Sequence, residues 1–170
     1  MPRAGLTAPA APAIPDAMTA IAFRPATIDD LPAIVALLAD DGLGRGREDA
    51  GMPLNPRYLA AFAAMAADPN QMQVVAVADD AVVGTMQLSF IPGLSRLGAW
   101  RGQIEGVRIA AGQRGAGLGR AMFLWAIERC RERGCDLVQL TTDRSRADAH
   151  RFYEGLGFEG SHLGYKLRLG

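Results

Sequence analysis

Cysteine is scarce in this chain of 170 residues, and the two that occur, Cys130 and Cys135, form no Cys-x-x-Cys pairing for metal or redox work. Neither a disulfide framework nor a metal site is expected. The two thiols read as free, one late in a helix and one at a strand start, which suits a reducing cytoplasm. Histidine is as sparse, with His150 on the outer side of a short helix and His162 in a turn, so both read as surface residues. Net charge is missing too: 18 basic residues balance 18 acidic ones and are scattered, which leaves no footprint for a nucleic acid partner. There is no apolar run long enough to span a membrane and no signal-peptide core, so no membrane partner is expected. Residues 1–18, rich in Ala and Pro, read as a disordered extension, and residues 19–170 as one domain.

What is present is a hydrophobic content of 49%, enough for one substantial core. Residues 21–24 read as a first strand, and Thr27-Ile28-Asp29-Asp30 as a capping box opening a helix with Leu31, Ile34, Val35 and Leu38 on one face. A glycine-rich loop over 42–54 precedes a second helix over 55–67. Gln71 to Ala78 and Ala81 to Ile91 read as a hairpin turned at Asp79-Asp80, with a further strand from Trp100 to Ala110 after a loop at 92–98. A helix over 118–133 buries Met122, Phe123, Ala126, Ile127 and Cys130 and stops at Gly134. The apolar run from Leu137 to Thr142 reads as a central strand. A second capping box at Ser145 to Asp148 then starts a short helix whose inward face carries Ala149, Phe152, Tyr153 and Leu156. Phe158 and the stretch from Leu163 to Leu169 read as closing strands. This order predicts an α/β domain with one mixed sheet and helices on its faces.

The most specific stretch runs from Ile104 to Gly119, a strand that enters a glycine-rich turn and opens a helix. Gly115, Gly117 and Gly119 allow the main chain to turn its N–H groups outward at a helix start, the arrangement that holds a phosphate or pyrophosphate. It is not a Walker loop, because Arg120 and Ala121 follow Gly119 where Lys and Ser or Thr are required. It is not the dinucleotide fingerprint either, because the order is Gly-x-Gly-x-Gly.

From Arg114 the loop spells Arg-x-x-Gly-x-Gly, and Ala149-His150-Arg151-Phe152-Tyr153-Glu154-Gly155-Leu156-Gly157-Phe158 follows downstream. The pair, in this order, resembles the acyl-CoA loop and the closing helix-to-strand element of the GNAT superfamily of N-acyltransferases. The resemblance implies acetyl-CoA as cosubstrate. Its pantetheine would pair with main chain near Val107, Arg108 and Ile109, and its pyrophosphate with Arg114, Gly115, Ala116, Gly117, Leu118 and Gly119. It also implies an opening between this strand and the one from Leu137, and a homodimer as a common habit.

Acetyl transfer needs a neutral amine, a stabilised oxyanion and a proton for the departing thiolate. Glu105 stands where the superfamily often carries a carboxylate that takes the amine proton; a salt-bridged or exposed strand glutamate is the other reading. Gly106 beside it is either a bulge or a packing glycine. Tyr153 matches the position of the family's tyrosine general acid and, about 100° around the helix from Phe152, can lean towards the cleft; otherwise it is a core aromatic. Arg144-Ser145-Arg146 stands where the family commonly has an asparagine, which leaves Ser145 as a cap. The reading is an N-acetyltransferase acting on a primary amine of a small molecule or peptide. The alternatives are a non-catalytic acyl-CoA-binding or sensing module, and a toxin acting on charged transfer RNA, which would want a basic face.

Overall fold

A computed structural model describes residues 21–40 and 46–169. The extension expected over 1–18 and positions 42–45 of the expected loop lie outside the described residues. Five strands form one mixed sheet in chain order: β1 (Ala22–Pro25), β2 (Gln71–Ala78), β3 (Ala81–Pro92), β4 (Trp100–Ile109) and β5 (Leu137–Leu140). β1 to β4 are antiparallel neighbours, and β5 runs parallel to β4. The β2–β3 hairpin turns at Asp79 and Asp80, with φ of 48° and 61°, the left-handed pair that matches strand twist in a two-residue turn.

On one face, Val74, Ala76, Met86, Leu88, Phe90 and Ile104 pack with Leu118, Met122, Phe123, Ala126 and Cys130 of helix α4 (Leu118–Glu132), all buried. α4 is also the crossover that a parallel β4–β5 pair requires. Helix α1 (Leu31–Ala39) packs on β3 and β4, and α2 (Pro56–Ala67) packs on β2. α1 follows the expected capping box through a short 3-10 turn, Ile28–Asp30. There the Asp30 carboxylate accepts two bonds from the Arg24 guanidinium, at 2.7 and 2.9 Å, and one from the Thr27 amide at 2.7 Å. α3 (Ser95–Gly98) is a single turn within the loop expected at 92–98, with Arg96 and Leu97 at positive φ. α5 (Ala147–Glu154) is the short helix after β5.

Three expectations are corrected. β5 ends at Leu140, not Thr142, because Asp143 Oδ1 accepts bonds from the Ser145 amide and hydroxyl and turns the chain there. Ser145 therefore serves that turn and does not cap α5, whose N-cap position is Arg146 with no side-chain cap bond. Phe158 packs on the core, but neither it nor the stretch from Leu163 to Leu169 forms a strand: the Ser161 amide folds back on Glu159 O at 2.9 Å, and no ladder partner follows among the described residues.

Candidate active site

The site begins where the sheet opens. Parallel pairing runs from Arg101 opposite Leu137 to Ile104 opposite Leu140 and stops there, so among the described residues β4 from Glu105 to Ile109 has no strand on that side. At the same point the β3–β4 register slips, Gln87 facing Glu105 and Thr85 facing Arg108, with Gly106 at φ 61°. This is a bulge with a left-handed glycine, and a Cβ at Gly106 would meet nothing within 4 Å, which rules out the packing-glycine reading. Two carbonyls along the open side are engaged from within the chain: Arg108 donates to Val107 O at 2.8 Å and Arg114 Nε to Ile109 O at 3.0 Å.

The glycine loop follows. Gly115 and Gly117 take φ of 81° and 85°, where an L side chain is strained, and Gly117 is the N-cap of α4. The Arg114 amide reaches Ala111 O at 3.3 Å and the Ala121 amide reaches Gly117 O at 3.0 Å; the amides between them close no such main-chain bond. Those donors, at the positive end of a helix dipole, suit a pyrophosphate. Gly115, Gly117 and Gly119 line a cleft of about 360 Å³ with Ile109, Arg120 and Phe152. The Arg114 side chain, at the edge of this cleft, holds the Asp40 carboxylate through its Nη2 at 3.0 Å.

Glu105 is exposed, and no hydrogen bond or ion pair joins it to the described residues. Tyr153 is half-buried, with its ring 5.5 Å from the rings of both Phe123 and Phe152 and 6.2 Å from Phe158. Burial pushes its phenol above the ordinary range, opposed by the charges of Arg146 and Arg108. The two aromatics thus stand differently from the helical-wheel expectation. Phe152 is the more exposed and lies 3.8 Å from where a Cβ on Gly119 would be, while Tyr153 is the deeper of the two. Phe123 has room for both rings, which a wheel drawn on one helix does not show.

The sequence reading missed a file of carboxamides on the face that carries Glu105. Gln71, Ser89, Gln103 and Gln139 lie in register across four strands, and Gln73, Gln87 and Glu105 form the adjacent row. Gln139 donates to Gln103 Oε1 at 2.7 Å, and Gln87 and Ser89 donate to Gln71 Oε1 at 3.1 and 2.6 Å. Each of these amides sits alone in its own strand, and only the cross-strand register joins them. Among the described residues no group of three or more His, Cys, Asp or Glu is placed to hold a metal, and no helix is long and apolar enough to cross a membrane.

A model of the acetyltransferase (GNAT) family matches residues 37–158, from α1 through the bulge and the glycine loop to Phe158. The chain belongs to that family. This GNAT protein is 31% identical over 154 residues to the aminoalkylphosphonate N-acetyltransferase of Salmonella typhimurium, spanning 91% of this chain and 95% of that one. It is 35% identical over 88 residues to the glucosamine 6-phosphate N-acetyltransferase of Trypanosoma brucei brucei, 52% of this chain and 58% of that one. A solved structure from Bacillus halodurans C-125, described as a transcriptional regulator, superposes with a TM-score of 0.86 at 47% identity, covering 88% of this chain and 100% of the other. The GNAT protein is thus an acetyl-CoA-dependent N-acetyltransferase, which favours the enzyme over the non-catalytic binding module.

Proposed function

We propose that this enzyme moves the acetyl group of acetyl-CoA directly to the primary amine of a small acceptor that carries a phosphonate or phosphate group. The reading is carried by one observation: β4 parts from β5 at the very point where its bulge sets Glu105 beside the opening. Bound there, acetyl-CoA supplies an activated thioester. The main chain at Val107 to Ile109 orients the pantetheine arm, with Arg108 and Arg114 yielding the carbonyls they now engage, and the amides of Gly115 to Gly119 hold the pyrophosphate. Glu105 takes a proton from the acceptor ammonium, directly or through a water, and so makes the amine a nucleophile. Tyr153, whose phenol is protonated at neutral pH and is pushed further up by burial, gives a proton to the departing thiolate. The carboxamides of Gln103 and Gln139 offer the acceptor donors and acceptors, and Arg101 and Arg108, on either side of Glu105 along β4, offer cations for an anionic end.

The anionic end is supported by the names of two relatives, whose acceptors each carry phosphorus as well as an amine. The reducing cytoplasm is the compartment that suits the two free thiols. The test is thiol release from acetyl-CoA with 2-aminoethylphosphonate, glucosamine 6-phosphate, glucosamine, ethanolamine and a short peptide. A kcat/KM at least about tenfold higher for the phosphorus-bearing amines than for their neutral counterparts is expected, the value of one charge-assisted contact. Equal rates, or a preference for the peptide, would remove the anionic subsite. With the preferred amine, Glu105→Gln should lower turnover about ten- to a thousandfold and flatten the acid limb of the pH profile. An unchanged profile would leave Glu105 a strand residue.

A further inference from the structure

Along β4, Arg101, Gln103 and Glu105 share one face of the sheet, while Gly102 and Ile104 turn towards the α4 side. Neighbours on that face are about 6.6 Å apart, two steps of roughly 3.3 Å, so Arg101 stands about 13 Å from Glu105 along the strand. Between the carboxylate and the guanidinium lies a neutral pair. Gln139 of β5 sits opposite Gln103 and donates to its Oε1 at 2.7 Å. The pair is the last on this face before the strands part, since Ile104 opposite Leu140 is the final rung.

A carboxamide carries two N–H donors and one accepting oxygen. After their single mutual bond, both N–H groups of Gln103, the second N–H of Gln139 and the Gln139 oxygen have no partner among the described residues. None of these atoms is sealed from solvent, and both side chains are half-buried, so the unmet capacity lies on the open face beside Glu105. A neutral amide cannot balance an ion, and an apolar group laid on it leaves its donors unmet. Its counterpart is an alcohol, which accepts from an N–H and donates to a carbonyl through one oxygen. Arg101 is exposed and makes no ion pair with the described residues, so its planar fork is open to a phosphate. Arg108 is instead engaged at Val107 O.

We propose that β4 reads its acceptor in three parts: Glu105 meets the amine, Gln103 with Gln139 meets hydroxyl groups next to it, and Arg101 meets an anionic group at the far end. The proposal rests on the anionic acceptor proposed above and narrows it to a polyhydroxylated amine of the amino sugar phosphate type. Gln103, Gln139 and Arg101 are then the residues that determine specificity. A two-carbon aminophosphonate spans only a fraction of the distance from Glu105 to Arg101 and leaves the carboxamides unused.

Thiol release from acetyl-CoA is measured with glucosamine 6-phosphate, its 3,4-dideoxy analogue, glucosamine and 2-aminoethylphosphonate. The first two share ring and phosphate and differ only in the hydroxyls that lie between nitrogen and phosphorus. The wild type is expected to favour the hydroxylated acceptor at least about tenfold in kcat/KM, the effect of one or two neutral hydrogen bonds. Gln103→Met and Gln139→Met, similar in volume but without the amide, should bring that ratio below about threefold, with the melting temperature and acetyl-CoA affinity showing that fold and cosubstrate site are intact. Arg101→Gln should bring the preference for glucosamine 6-phosphate over glucosamine close to parity. Equal rates on the hydroxylated and dideoxy acceptors overturn the proposal, and if glucosamine 6-phosphate is still preferred to glucosamine the anionic acceptor stands without it. Discrimination that survives in both methionine variants puts the hydroxyls elsewhere and overturns it, as does turnover of 2-aminoethylphosphonate without turnover of glucosamine 6-phosphate. An undiminished phosphate preference in Arg101→Gln moves the anionic end away from β4's start and overturns the three-part order.

Discussion

In the proposed mechanism Tyr153 donates a proton, which a phenol ordinarily keeps at neutral pH, and burial among three phenylalanines shifts it further the same way. Tyr153→Phe keeps the ring and its edge-to-face contacts and removes the donor. A fall of about ten- to a hundredfold in kcat is expected, with acetyl-CoA affinity by calorimetry and the melting temperature unchanged. Wild-type turnover in the Phe variant would assign the proton to water. Asp30 is a residue of another kind, serving stability. Hydrogen bonds from Arg24, then from Thr27, hold its carboxyl at about 2 against an ordinary 3.8, and the side chain is nearly buried. A depressed carboxyl pKa stabilises the fold above 3.8, and that contribution is lost as the pH falls through about 2. Asp30→Asn should cost about 1–2 kcal/mol at neutral pH by urea unfolding, allowing for the exposed side of Arg24, with the gap to wild type closing near pH 2.

Among the elements, the β4–α4 contact is set by two small residues. Gly102 lies opposite Cys130, and a Cβ at Gly102 would overlap Cys130 Sγ, which is buried and whose thiol is pushed up to about 12 by that burial. Gly102→Ala should destabilise by about 1–3 kcal/mol, and adding Cys130→Ala should recover part of the loss. If the single variant unfolds at the wild-type urea midpoint, the helix is free to shift and the contact is not tight. The elements themselves were largely legible, because the valine-rich runs of β2 and β3, the Thr27 to Asp30 box and the glycine loop are each local signals. What escaped the reading depends on distant partners. The carboxamide file exists only once four strands are in register. The order of Phe152 and Tyr153 depends on Phe123 in another helix. The Leu163 to Leu169 pattern was readable as a strand, yet nothing among the described residues supplies its ladder.

At the scale of the whole molecule, cosubstrate binding and stability are linked. At a hundredfold excess over its dissociation constant, acetyl-CoA should stabilise the fold by about 2.7 kcal/mol, a rise in melting temperature of roughly 5–10 °C for a chain of this size. Gly117→Glu, which adds a side chain at φ 85° and a negative charge to the cradle, should abolish that rise while leaving a folded protein. An undiminished rise in that variant would place the cradle elsewhere. The open side of β4 has a bearing on the protein's shelf life. A bare strand flank is a template on which identical chains grow into fibres. Here the kink at Gly106 interrupts the template, and the Arg108 and Arg114 side chains blunt it by occupying Val107 O and Ile109 O. The two arginines are thus gatekeepers of a concentrated stock, holding the flank against its own kind.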